Sequence, residues 1–207
     1  MMDGCRYLVN IEPAEAPRSW QGRWIYHPPG CHPNGVFYAK TVFDLEGDIE
    51  RGVFHVAADS RYALFCNGEL VGRGPVRSTH RVVFFDSYDL TRLLRPGRNV
   101  LAAAVHVMGR AFYVYIPGQP GLLVESDVRA GGRAVALSTG DGWRVRTAEA
   151  YDARATVFTR QAGWTEWYDA RREIPDWAGT SVDGWSRPES MTVEQALERR
   201  DLNGGMR

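Results

Sequence analysis

The chain has 207 residues, 44% hydrophobic and 24% charged, a balance that suits one globular domain with a sizeable core and excludes a disordered chain. Lysine plus arginine and aspartate plus glutamate number 25 each, so no global field draws the protein to nucleic acid or to an anionic membrane. No stretch approaches the ~18 uninterrupted apolar residues of a membrane span, and the start of the chain lacks the basic region and apolar centre of a signal peptide.

Residues 1–22, with Pro13 and Pro17, read as an irregular leader. A first short strand at 24–26 is stopped by Pro28-Pro29-Gly30. Residues 36–45 (VFYAKTVFDL) have strand composition, punctuated by Gly35 and Gly47, and a strand at 53–57 is expected to pair with them. Next comes a hairpin, in which 61–66 (RYALFC) leads into Asn67-Gly68, a turn of two residues that tolerate positive φ, and 69–72 begins the return. After Gly74-Pro75 the β-branched and aromatic run 81–85 predicts another strand. A one-turn segment at 91–94 ends at Pro96-Gly97, and 99–107 is an apolar run long enough for a central strand buried on both faces.

Further strands are expected at 111–116 (AFYVYI), at 122–125, at 134–137 across the Gly131-Gly132 turn, and at 143–145. The tail differs. Thr192 and Gln195 stand three apart, as the Ncap and N3 of a capping box, opening a short helix to about Arg200 that Asn203-Gly204-Gly205 would end. Many short strands with close turn signals, and no crossover helices, predict an all-β antiparallel sandwich of jelly-roll type with a short C-terminal helix. The boundaries expected are a leader at 1–22, the β-sandwich at 23–185 and a tail at 186–207.

Few residues suggest chemistry. Cys5, Cys31 and Cys66 are an odd count without paired spacing, which fits a reducing compartment, taken here as the cytoplasm. His27, Cys31 and His32 lie together beside two prolines, but they lack the fourth partner of a closed zinc site and read as a turn. His55, His80 and His106 fall in strand segments and read as structural. Asp86 and Asp89 could form the carboxylate pair that glycoside hydrolysis requires, yet at a strand end Asp most often accepts from backbone amides. Arg73, Arg77, Arg81, Arg92, Arg95 and Arg98 read as solvated surface or as an interface to another domain. Glu166, Asp169 and Arg171 stand among Trp164, Trp167 and Trp177, the residue types from which sugar sites are built: aromatic faces for C–H groups, charged groups for hydroxyls. The alternative is that Asp169 and Arg171 form a buried ion pair tying the end of the chain to the sandwich.

The order Asp59, Arg61-Tyr62, Asn67-Gly68, Gly74-Pro75, Arg77-Ser78, Tyr88-Asp89, Gly97 and Asn99 resembles the non-catalytic β-sandwich near the N-terminus of bacterial α-L-rhamnosidases. The IPGQPGLL stretch at 116–123 and the cluster Glu166, Tyr168-Asp169-Ala170-Arg171 extend the resemblance across most of the chain. Trp167, between Glu166 and Tyr168, departs from the commoner pattern.

The resemblance implies a galactose-binding-like fold and an accessory role, in carbohydrate recognition or structure, within a glycoside hydrolase. The catalytic carboxylates would belong to a separate (α/α)6 barrel, a partner in the intact enzyme, so a chain ending here would hydrolyse nothing. It further implies L-rhamnose or a rhamnosylated glycan as ligand and calcium as a possible cofactor, with Glu166 and Asp169 as its ligands. The remaining alternatives are a stand-alone sugar-binding module and a purely structural interaction domain.

Overall fold

The computed structural model describes residues 19–78 and 83–203. In chain order the strands are β1 (Trp24–Tyr26), β2 (Gly35–Leu45), β3 (Ile49–Asp59), β4 (Arg61–Cys66), β5 (Glu69–Gly74), β6 (Asp86–Asp89) and β7 (Gly97–Val107). They continue as β8 (Gly121–Ala130), β9 (Arg133–Val135), β10 (Arg144–Thr147), β11 (Val157–Thr159), β12 (Gly163–Trp164) and β13 (Glu189–Met191), before the helix α1 (Val193–Asn203). One sheet has the order β13-β1-β8-β3-β6, with β9 paired to β8; the other has the order β10-β2-β7-β4-β5. A small hairpin, β11-β12, stands apart. The protein is an antiparallel β-sandwich, as its strand pattern predicts.

Strand alternation explains the layers, because successive side chains point to opposite faces. Phe37 and Ala39 of β2, Tyr62 and Leu64 of β4, and Leu101, Ala103 and Val105 of β7 point inward. They meet Ile25, Phe54, Val56, Leu122 and Val124 of the other sheet in one apolar cluster. Burying a Leu or Phe there contributes about 1.5–3 kcal/mol each, so this interface dominates stability. The Asn67-Gly68 turn closes β4-β5 with φ of 50° and 85°, values that select these residue types.

Three expectations need correction. Strands β2 and β3 do not pair: β2 lies between β10 and β7, and β3 between β8 and β6, in the opposite sheet. Both carry an apolar inward face, so the Gly47 turn between them crosses the sandwich and sets those faces against each other. The stretch 111–116 is not a strand but a tight turn, closed by the reciprocal backbone bonds of Phe112 and Tyr115 at 3.0 and 3.1 Å. Phe112 and Tyr115 pack locally with Met108. Finally, the strand expected at 81–85 begins only at Asp86. Phe85 packs edge-on against His55 and Trp20 instead, while residues 81–82, like the leader 1–18 and His80, lie outside the described residues.

Residues 148–187 form an arm over the outer face of the β10-β2-β7-β4-β5 sheet. Tyr151, Ile174, Trp177 and Trp185 pack on Val36, Tyr38 and Ala148, and the backbone of Ser186 exchanges bonds with Val145 at 2.8 and 2.9 Å. The chain then passes to the other sheet, where β13 pairs with β1. The capping box forms as the sequence predicts, with Gln195 N–H donating to Thr192 Oγ1 and Thr192 N–H donating to Gln195 Oε1. Ala196 of α1 packs with Trp24, Ala57, Leu123 and Met191 on the second outer face.

Candidate functional site

The arm leaves part of the sheet beneath it uncovered. Register places Tyr38, Ala104, Ala63 and Arg73 side by side across β2, β7, β4 and β5. The next row is Val36, His106 and Arg61. All seven line one open cleft of about 670 Å³. Two alanines in the middle of the face, flanked by large side chains, give the depression its floor. The β7 sequence shows where it begins: the strand is buried on both faces through Ala103, and from Ala104 onward every second residue is only partly covered. Gly74 also lines the cleft, and a Cβ there would meet Asp86 Oδ2 at 2.0 Å and displace that carboxylate.

One wall is the Tyr38 ring stacked on Trp177, with centroids 4.0 Å apart and planes inclined by 4°, and Phe65 meets Trp177 edge-on. Lys40 holds that wall in place: its ammonium donates to the carbonyls of Trp177 and Gly179 at 2.9 and 2.8 Å and lies 4.1 Å from the Trp185 ring centre. The opposite wall is Tyr151, Asp152 and the run Trp164, Thr165, Glu166, Trp167, Tyr168.

Glu173 closes one end of the cleft. It accepts from Tyr38 Oη at 2.8 Å, from Tyr168 Oη at 2.5 Å and from the backbone of Ile174 at 2.8 Å. Burial first, then the Glu173 carboxylate, pushes the Tyr38 phenol upward, so it stays a neutral donor. Burial, reinforced by the Arg61 charge, lowers the His106 pKa to about 4, so the ring is neutral at pH 7. Its Nε2 lies 2.9 Å from Asn34 Oδ1. Among the described residues neither Arg61, Arg73 nor Glu166 forms an ion pair.

The residues singled out from sequence divide into two groups. Trp164, Glu166 and Trp167 line the cleft, whereas Asp169 and Arg171 do not. Trp167 is 50% exposed and offers its face, while Trp164 donates Nε1–H to Met108 O at 2.9 Å and is partly covered. The buried ion pair weighed for Asp169 and Arg171 is corrected, because their side chains are 35% and 89% exposed and pair within two residues. Asp169 caps the turn Ala170–Arg172, and Arg171 holds its carboxyl at about 2. A two-residue separation on a short turn lets Arg fold back on Asp without reaching the sandwich. Asp89 accepts from Thr91 N–H as expected, but Asp86 accepts from Tyr62 Oη at 2.5 Å rather than from backbone amides.

Calcium was tested on the donors present. Both Asp169 oxygens are taken by Arg171, at 2.8 Å each, and Glu166 belongs to the cleft while Asp169 does not. No group of three or more His, Cys, Asp or Glu placed to hold a metal occurs among the described residues. Glu166 and Asp169 are therefore not brought together as two ligands of one calcium ion, which takes six to eight oxygens. His27, Cys31 and His32 do not make such a metal-holding group either, and burial raises the Cys31 thiol to about 11.

Tyr38, Ala63 and Ala104 escaped the sequence reading, and Arg61, Arg73 and His106 were named there only as family pattern, surface or structural residues. Their signal was the two-residue period of β2, β4 and β7, which assigns them all to the outer face.

Residues 47–204 match a family model described as the alpha-L-rhamnosidase N-terminal domain. An alpha-L-rhamnosidase of Streptomyces avermitilis is 30% identical over 146 residues, covering 65% of this chain and 14% of the relative. The crystal structure of the GH78 family rhamnosidase of Bacillus sp. GL1 superposes with a TM-score of 0.77 at 36% identity, over 85% of this chain and 19% of that one. The S. avermitilis enzyme in complex with L-rhamnose superposes with a TM-score of 0.58 at 24% identity, over 82% of this chain and 16% of that one, a likeness of fold. The chain thus spans less than a fifth of the length of these relatives.

Proposed function

The chain belongs to the α-L-rhamnosidase N-terminal domain family, and on that premise we propose that it is an accessory module whose cleft recognises L-rhamnose or a rhamnosylated glycan for a larger glycoside hydrolase. The observation that carries this reading is the alanine floor between the wall of Tyr38 and Trp177 and the polar and aromatic groups that line the rest of the cleft. The exposed Trp167 suits the C–H side of a pyranose, and Asn34, His106, Glu166 and Arg73 suit its hydroxyls. No step of glycoside hydrolysis is assigned here, since Asp86 is engaged by Tyr62 and Asp89 by a backbone amide. Hydrolysis is assigned to a catalytic barrel beyond this segment. No helix among the described residues is long and apolar enough to cross a membrane. Cys31 and Cys66 are free thiols, which supports a reducing compartment such as the cytoplasm.

Calorimetric titration with L-rhamnose tests the reading. A single sugar in an open cleft is expected near millimolar Kd, roughly −4 kcal/mol. The heat should be the same with calcium and with a chelator, and Trp167→Ala should remove it. No heat from a folded protein at tens of millimolar sugar counts against a binding module.

A second reading has its own support. Tyr113 and Phe158 are 64% and 70% exposed, and their loops are joined by Tyr113 N–H donating to Arg160 O at 3.0 Å. This aromatic patch favours packing against the catalytic barrel of the full enzyme.

A further inference from the structure

A smaller pocket of about 320 Å³ adjoins the cleft at the ends of β3 and β4 and shares Arg61 and Pro75 with it. Beyond these two residues the pocket is lined by Asp59, Arg77, Ser78 and Tyr115 among others. The two cavities are neighbours on either side of Arg61 and Pro75, and each lies within the range of about 300–1,000 Å³ that holds small ligands.

Charge distinguishes the two cavities. The carboxylates Asp152, Glu166 and Glu173 line only the large cleft. The small pocket has one carboxylate, Asp59, which is 1% exposed and accepts from Tyr115 Oη. Facing it are Arg61 and Arg77, both exposed and neither in an ion pair among the described residues. Two guanidinium groups beside a pocket whose single carboxylate is turned inward make a site for an anion, and Arg pairs with a planar carboxylate through two parallel N–H bonds.

Resting on the reading of the large cleft as a sugar site, we propose that the ligand is an acidic oligosaccharide. A neutral sugar occupies the cleft, and a linked uronic acid places its carboxylate at Arg61 and Arg77. This selects acidic polysaccharide fragments over neutral rhamnosides. Because the guanidinium groups are exposed, the preference falls as salt rises through the physiological range.

The test compares two disaccharides by calorimetry on the full chain, one a uronic acid carrying rhamnose, the other its carboxyl-reduced counterpart. The proposal expects the acid to bind about tenfold more tightly at low salt, the scale of one charge-assisted contact, with Arg77→Gln narrowing the gap. Equal affinity for both overturns the acidic subsite and leaves the sugar cleft standing. Binding of neither by the folded protein overturns the cleft reading and this proposal with it.

Discussion

Lys40 is the sole lysine of the chain, and it is 1% exposed. A buried ammonium without a carboxylate in contact is costly unless its protons are satisfied, and burial accordingly lowers its pKa. Here two protons go to carbonyls of the arm and the charge lies over Trp185. Lys40→Met keeps the stem and removes the head. It leaves the Trp177 and Gly179 carbonyls without their donor, at about 1–3 kcal/mol each, and loses a cation–π contact of about 1–2 kcal/mol. Relief of the desolvated charge offsets part of this, leaving a net destabilisation of about 2–3 kcal/mol. For a chain of this size that is a fall in Tm of roughly 4–10 °C. Urea unfolding measures the energy, and limited proteolysis reports whether cleavage concentrates at 173–187. The folded wild type should also resist acetylation at Lys40 by an amine reagent that labels it fully in urea. A stability change below about 0.5 kcal/mol, or an arm no easier to cut, would refute the reasoning.

Ala104→Phe places a ring on the cleft floor. It should abolish L-rhamnose binding while circular dichroism and the urea midpoint hold, and retained binding places the site elsewhere. His106 titrates near 4 when folded and near 6.5 when unfolded, so between those values the unfolded chain holds more protons. Stability is therefore lost as pH falls from 6.5 to 4, by up to about 3 kcal/mol from this residue. Urea midpoints should fall less steeply with acid in His106→Gln, and identical slopes would contradict the assignment. Asp169→Ala removes an exposed pair that touches neither cleft nor core. It should leave rhamnose affinity unchanged and lower stability by no more than about 1 kcal/mol, the cost of the lost cap, and loss of calcium-dependent binding would restore a metal site there.

What could be read from sequence was what local chemistry determines. Asn67-Gly68, the Thr192 capping box and the apolar run of β7 each act over a few residues, and each appears in place. The separation of β2 from β3 was hidden because both strands carry the same inward pattern, and pairing depends on where the Gly47 turn sends the chain. The 111–116 turn was misread because its aromatic content mimics a strand, while Phe112 and Tyr115 are spent on a local cluster around Met108. Trp164, Glu166 and Trp167 were found by residue type. The floor beneath them went unseen because alanines, and an arginine or histidine at strand spacing, acquire meaning only once register sets Ala63 beside Ala104. Asp169 and Arg171, chosen in the same way, pair with each other and do not line the cleft.

The most direct test of the cleft is its location. In an amide and indole chemical-shift titration of the labelled chain with L-rhamnose, saturable shifts should gather at Arg61, Ala63, Ala104, His106 and the Trp167 indole. Their absence, or shifts gathered instead at Tyr113 and Phe158, would contradict recognition of sugar in this cleft and leave the domain as a packing surface for its enzyme.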